Sequence, residues 1–299
     1  MLPTATHFQI IHRLYMMEPQ LEQIRENQKA SWNKFSPGWG KWDLFNMRFL
    51  QPMGEAIINY LQIKEEDIVL DIATGTGEPG LTIATLAKKG KVIGTDLADD
   101  MLAIAAAHAA KKGISNYETL QADTCELPFA NNTFDAISCR MGFMFFPDME
   151  LAAREMFRVL RPGGKMATSV WGAPPKNVWI GTMMKAVSQH IELPPPIPGG
   201  PGMFRCASPG TMAALLKLAG FKKVAENEIT EKVTYESADQ YWEMMMDVAA
   251  PVVAALSKAD GMTKSRVKTT LFELLEGYAP SGSPLTLDYA SIVLCGEKE

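Results

Sequence analysis

Apolar residues recur at two periods along this chain, and the switch between them marks its elements. Short runs such as Val69-Leu70-Asp71-Ile72, Lys91 to Thr95 and Tyr117 to Ala122 have a strand's length and pattern, whereas the segments between them repeat at helical spacing. Strands alternating with helices in this way predict a parallel sheet covered on both faces. Ahead of the first strand, Leu21, Ile24, Gln28, Trp32 and Phe35 form one stripe of a helix over 19–36. Phe45, Phe49, Met53, Ile57 and Leu61 form the stripe of a second over 43–61, and Ser36-Pro37-Gly38-Trp39-Gly40 reads as the break between them. Further helices are expected over 81–89, closed by Gly90, and over 99–112, started by Asp99-Asp100 and closed by Gly113. Others are expected over 150–160, 177–191 and 211–219. Strands are expected over 132–139, 166–171, 221–230 and 285–294, the last two forming an antiparallel pair, with a helical insertion over 237–277 between them.

The most informative stretch runs from Asp71 to Gly80. Gly75 and Gly77 allow backbone conformations closed to other residues and leave no side chain between the chain and a ligand. Pro79 sits near the start of the next helix, whose free N–H groups point into the loop. Gly75-Thr76-Gly77-Glu78-Pro79-Gly80 also satisfies the dinucleotide fingerprint, and Asp96 follows about 20 residues on, where that fingerprint expects its ribose-binding acid. Asp71 weighs against a pyrophosphate, which it would repel, and suits an amino-acid ammonium. A tight turn with no ligand is the plain alternative.

Asp-x-Ala-x-Gly-x-Gly resembles motif I of the class I methyltransferases that use S-adenosylmethionine (SAM), with Ala73 where the commonest form has glycine. The resemblance extends to Asp123-Thr124 followed by Leu127-Pro128-Phe129, to the apolar segment Arg140-Met141-Gly142-Phe143-Met144-Phe145-Phe146-Pro147-Asp148, and to Leu160-Arg161-Pro162-Gly163-Gly164-Lys165. It implies an α/β, Rossmann-like, seven-stranded sheet, mostly parallel with an antiparallel last strand, plus an N-terminal helical arm and helical cap insertions. It also implies SAM as cofactor and S-adenosylhomocysteine as product. Asp71, Ala73, Thr74, Gly75, Thr76 and Gly77 would form the cradle, and Asp96 would accept the ribose hydroxyls. Leu97 and Met101 would pack on adenine, Asp123 and Thr124 would read its edge, and Arg140 would meet the SAM carboxylate or a substrate acid. Trp32 and Trp39 resemble the entry segment of the ubiquinone and menaquinone biosynthesis methyltransferases, where it closes over SAM; plain packing of the arm is the alternative.

The implied organisation is an arm or lid over 1–62, a SAM-binding core over 63–172 and cap insertions over 173–210 and 237–280 that build the acceptor pocket. Residues 211–236 and 281–299 complete the sheet. A net charge of −5 argues against nucleic acid, which needs clustered Lys and Arg. Cys125, Cys139, Cys206 and Cys295 are scattered, so neither a zinc site nor a disulfide framework is indicated, and a cytoplasmic setting is expected. His7, His12, Arg13 and Glu18 interrupt any secretory leader, and no charge-free run of about 18 apolar residues would span a membrane, although transient membrane contact is compatible with the aromatic arm. The reading is a methyltransferase acting on a small, apolar or aromatic acceptor, as a monomer or homodimer. Methionines 244–246 read as core rather than pocket, and no residue is assigned as catalytic, His12, His108 and His190 reading as ordinary histidines. A non-catalytic SAM-binding regulator and a nicotinamide-dependent oxidoreductase are the alternatives.

Overall fold

The computed structural model describes residues 5–193, 195, 199–279 and 284–299, with side chains described from residue 19 onward. Its centre is a seven-stranded sheet of order β3-β2-β1-β4-β5-β7-β6. The strands are β1 (Ile68–Ile72), β2 (Lys91–Asp96), β3 (Tyr117–Gln121), β4 (Phe134–Arg140), β5 (Leu160–Trp171), β6 (Lys222–Tyr235) and β7 (Leu285–Glu297). The first five run parallel, and β7 is inserted antiparallel between β5 and β6. This is the expected Rossmann-like arrangement with its antiparallel end.

β1 is buried on both faces, as a central parallel strand should be. Leu70 and Ile72 enter one apolar core while Val69 enters the other, which follows from the two-residue period of a strand. Helices α3 (Gly80–Leu86) and α4 (Asp99–Lys112) follow β1 and β2, and Gly113 caps α4 in the left-handed conformation. Asp99 and Asp100 lie within the first turn of α4 rather than capping it, since Ala98 holds the cap position. α5 (Met149–Val159) is capped by the Asp148 carboxylate, which accepts from Leu151 N. β5 begins earlier than expected: Leu160 already pairs with Phe134, and the turn through Gly163 forms an irregularity inside the strand.

The arm departs most from the expected pattern. α1 runs unbroken over Ala5–Lys41, through Pro37, and the break falls at Trp42, after which α2 (Asp43–Leu61) begins. Proline at 37 has no N–H for the Asn33 carbonyl, but Ser36 Oγ donates to that carbonyl at 2.9 Å and satisfies it. Gly38 serves packing, not a turn: a Cβ there would lie 2.0 Å from the Asp247 carbonyl oxygen. Lys41 Nζ and Trp42 Nε1 both donate to the Asp247 carboxylate, at 2.6 and 2.8 Å, tying the end of α1 to the cap. The α2 stripe is as expected, with Phe49, Met53, Ile57 and Leu61 buried beneath it and Phe45 stacked on Tyr235 at 4.9 Å.

Helix α6 (Val178–Ser188) follows β5, α7 (Thr211–Ala219) precedes β6, and α8 (Ala238–Val248), α9 (Ala250–Leu256) and α10 (Gly261–Leu275) lie between β6 and β7. β6 and β7 pair from Lys222↔Glu297 to Tyr235↔Leu285, whereas β5 pairs with β7 only as far as Trp171↔Ser291. The β6–β7 ribbon therefore continues beyond the sheet, and the cap helices are mounted on its free end. Within the cap insertion expected over 173–210, Pro194 and the segment 196–198 lie outside the described residues. No helix among the described residues is long and apolar enough to cross a membrane.

Candidate functional site

The C-terminal ends of β1 to β4 deliver Ala73, Asp96, Asp123 and Arg140 to one crevice, the place where open parallel sheets bind ligands. A cavity of 130 Å³ opens there. Of the anticipated residues, Ala73, Thr74, Gly75 and Thr76 form its floor, Asp96, Leu97 and Met101 one side, and Asp123, Thr124 and Arg140 another, with Trp32 and Trp39 above. Asp71 and Gly77 do not reach the wall.

Asp71 lies behind the loop, fully buried, and not on the cavity wall where an ammonium would be met directly. Its Oδ2 accepts from Thr74 Oγ1 at 2.5 Å and from Gly80 N at 3.1 Å, and its Oδ1 accepts from Ser138 Oγ at 2.6 Å. Burial pushes its pKa up to about 6, against these hydrogen bonds and the nearby Arg140 charge. Gly77 is a packing glycine: it sits at φ 115°, and a Cβ would come within 2.7 Å of Leu81 Cδ1. Gly75, at φ 56°, faces open space instead.

Asp96 accepts from Gly75 N through Oδ2 and from Ala98 N through Oδ1, both at 3.0 Å, so the carboxylate is held side-on to the loop. Each oxygen keeps a further lone-pair site, which suits a vicinal diol. Burial holds its pKa above the ordinary value, opposed by the backbone N–H groups of Ala98, Gly75 and Leu97. Asp123 is approached from above: Arg25 Nε of α1 lies 2.5 Å from Oδ2, while Cys125 N donates to Oδ1 at 2.9 Å. Arg140 Nη2 makes its one hydrogen bond among the described residues to Met47 Sδ, at 3.5 Å, and burial lowers its pKa against the attraction of Asp71, Glu78 and Asp43. A guanidinium so placed has unused donors for an anion in the cavity. The open backbone at Gly75, the side-on Asp96 and the cationic Arg140 together fit a nucleoside carrying a carboxylate, as SAM does.

Residues that pattern alone did not single out complete the wall. Gln28 belongs to the expected stripe of the first helix and Glu78 to the glycine loop, while Leu50 lies outside the expected stripe of the second helix. Burial pushes Glu78 up, yet hydrogen bonds from Lys112 and Thr82 and the Lys112 charge outweigh it and hold the carboxylate below its usual range. His108, in the last part of α4, donates through Nδ1 to the Thr76 carbonyl at 2.9 Å and supports the loop from outside. His190 bonds Thr270 Oγ1 at 2.8 Å and reaches neither cavity, and the His12 side chain lies outside those described.

A second cavity of 590 Å³ adjoins the first. The two share Gln28, Trp32, Trp39, Leu50, Met141 and Phe145. Trp32 meets Phe145 edge-on at 5.1 Å and Trp39 at 6.1 Å, so the partition is largely aromatic. Beyond it the wall passes to Phe49, Trp171 and Trp179, to Met203 after α6, and to Met244 and Val248 of α8. Met244 thus contributes to the cavity, while Met245 is core as expected. The apolar segment from the end of β4 lines the first cavity through Arg140, Met141, Gly142 and 145–147, and its Met141 and Phe145 also line the second.

Residues 69–164 match a family described as methyltransferase domain. The chain is 35% identical over 163 residues to the demethylmenaquinone methyltransferase of Thermus thermophilus, covering 51% of this chain and 73% of that protein. It is 36% identical over 136 residues to the ubiquinone/menaquinone biosynthesis C-methyltransferase UbiE of Bdellovibrio bacteriovorus, covering 45% and 57% respectively, so it spans only part of either relative. The crystal structure of a putative methyltransferase from Bacillus halodurans has the same fold, with a TM-score of 0.56 at 20% identity over 82% of this chain and 98% of that one.

Proposed function

This chain belongs to the class I SAM-dependent methyltransferases, and we propose that its acceptor is a small apolar or aromatic molecule, quinone-like, phenolic or terpenoid, held in the second cavity. The observation that carries the proposal is the shared partition: an aromatic 590 Å³ cavity opens directly beside the cradle, with Trp32, Trp39, Met141 and Phe145 between them. Relatives named for demethylmenaquinone favour a quinone-like ring within that class. When bound, SAM supplies a methyl group on a positively charged sulfur, open to in-line transfer to a nucleophile.

In this reading Asp96 binds the ribose hydroxyls, Leu97 and Met101 pack on adenine, and Asp123 with Thr124 reads its edge. Arg140 binds the carboxylate, and the backbone from Ala73 to Thr76 leaves room for the amino-acid chain. Asp71 and Gly77 act one layer behind by fixing the loop. Trp32 and Trp39 exclude water and align the acceptor. Holding two reactants in line is worth roughly 7–11 kcal/mol of barrier in well-aligned systems, so orientation can do most of the work. None of the six partition residues is ionisable, and we assign no general base. Residues 1–62 then act as a lid, 63–172 with 211–236 and 281–299 as the cofactor-binding sheet, and 173–210 with 237–280 as the acceptor cap.

The test is transfer of a labelled methyl group from SAM into a cell extract partitioned between lipid and aqueous phases. Label in the lipid phase is the expected result, and its product mass identifies the acceptor. Label confined to water-soluble metabolites overturns the apolar-acceptor reading.

A further inference from the structure

The second cavity is apolar almost throughout, which makes its buried polar groups conspicuous. Asn46, on the inner face of α2, is 2% exposed and lines this cavity, and its Nδ2 is buried without a hydrogen-bond partner among the described residues. Trp39 Nε1 is buried and unpartnered in the same way, and its ring lines both cavities. An unsatisfied buried amide or indole N–H costs about 1–3 kcal/mol, so such groups need an occupant to account for them. The plain alternative, that each is satisfied within the protein, does not apply among the described residues: the Asn46 backbone N–H bonds Trp42 O at 2.8 Å, but its amide does not share that bond. Charge, by contrast, is nearly absent. The one ionisable side chain among the described residues of the wall is Lys34, an exposed residue of α1. An ion buried against the rest of the wall would find no counter-charge.

We propose that Asn46 and Trp39 are the polar anchor of the acceptor site, and that they select a neutral apolar molecule by hydrogen bonding its oxygen. This rests on the reading of the second cavity as the acceptor site. Trp39 can only donate, so the group it meets is an oxygen lone pair, carbonyl or hydroxyl; the Asn46 amide can donate to that oxygen or accept from a hydroxyl. Trp39 also stands in the partition, so an oxygen bonded to it lies beside the cofactor cavity.

Three probes of one bicyclic skeleton separate the possibilities: 1-tetralone with one carbonyl, tetralin with none, and tetralin-1-carboxylate with a charge. Their binding is measured calorimetrically on the full chain saturated with S-adenosylhomocysteine. Wild type should prefer tetralone to tetralin about 5- to 10-fold, the worth of one net hydrogen bond, and bind the carboxylate at least about 10-fold more weakly than tetralone. Asn46→Leu should reduce the tetralone preference while strengthening tetralin, and should raise the melting temperature of the ligand-free protein by removing an unsatisfied buried amide. Trp39→Phe should also reduce the preference with the fold intact. Equal binding of tetralone and tetralin to wild type and both variants overturns the anchor but leaves the cavity as an apolar acceptor site. Tighter binding of the carboxylate overturns the requirement for a neutral ligand. Failure of all three to bind wild type overturns the reading of the cavity itself, and the anchor with it.

Discussion

Arg25 and Asp123 are 98 residues apart in sequence, yet the guanidinium of one lies 2.5 Å from the carboxylate of the other. Arg25 projects from α1, and Asp123 follows the end of β3 on the wall of the first cavity. Lys29 with Asp99 at 3.5 Å, and Asn33 Oδ1 accepting from Asp100 N at 3.2 Å, continue the same seam toward the start of α4. The arm is thus latched onto the rim by polar contacts in addition to the packing of Trp32 on Phe145 and the burial of Phe35.

Release of that latch should be visible in cofactor kinetics. Partly exposed ion pairs contribute about 0.2–1 kcal/mol, so Arg25→Ala should accelerate dissociation of S-adenosylhomocysteine by roughly 2- to 5-fold with little change in melting temperature. Raising ionic strength should have a similar effect on wild type and a smaller one on the variant. Stopped-flow fluorescence of the nearby tryptophans reads both. An off-rate unchanged in the variant would make the contact incidental.

Asp96→Asn keeps the shape of the side chain and removes its charge and one of its two acceptors. Charge-assisted hydrogen bonds are worth about 1.5–3 kcal/mol, so affinity for SAM should fall on the order of 100-fold by titration calorimetry. Near-normal affinity in a folded variant would remove Asp96 from the ribose site.

Asp71 should leave its mark on stability against pH. Its pKa rises from 3.8 in the unfolded chain to about 6 in the folded one, because burial disfavours the carboxylate. Between those values the folded protein binds more protons than the unfolded chain. The contribution is therefore fully present below about pH 4 and is lost as pH rises through 6, amounting to roughly 3 kcal/mol. Urea denaturation across this window should show that slope superposed on the other titrations, and Asp71→Asn should flatten it. An identical pH profile in the variant would show that the carboxylate ionises normally.

Ala73 occupies the left-handed region at φ 52°, where a Cβ is disfavoured. Ala73→Gly restores the commoner residue of the motif and should stabilise the protein by about 0.5–1 kcal/mol, net of the glycine's greater freedom when unfolded. That corresponds to a melting temperature higher by roughly 2 °C, with SAM affinity unchanged. A lower melting temperature would mean that the methyl group packs usefully against its surroundings.

The sheet and the ends of its parallel strands were legible because they depend on local patterns: apolar runs, glycines and the register of Asp96 with the loop. The continuity of α1 through Pro37 was not, because it depends on a hydroxyl that replaces the missing bond and on an Asp247 carbonyl far along the chain. Asp71 was read by its position before the loop, and only the three-dimensional placement of Ser138 and Thr74 reveals that its oxygens are already engaged. Asn46 carried no signal at all. A lone polar residue on a helical stripe looks like a surface position until the cavity beside it is seen.

The ribbon of β6 and β7 beyond the end of β5 has an evolutionary corollary. Its rungs run from Ala225↔Cys295 to Tyr235↔Leu285, and α8 to α10 leave and rejoin it beyond that last pair. The cap is therefore a cassette inserted into a hairpin, tied to the rest of the molecule through Asp247 with Lys41 and Trp42 and through Tyr241 with the Trp179 carbonyl. Exchange of residues 238–275 during divergence would therefore alter the second cavity, which they line, and not the wall of the first, to which none of them contributes. Chimeras cut at Glu236 and Pro284 are the natural units for building such exchanges by hand.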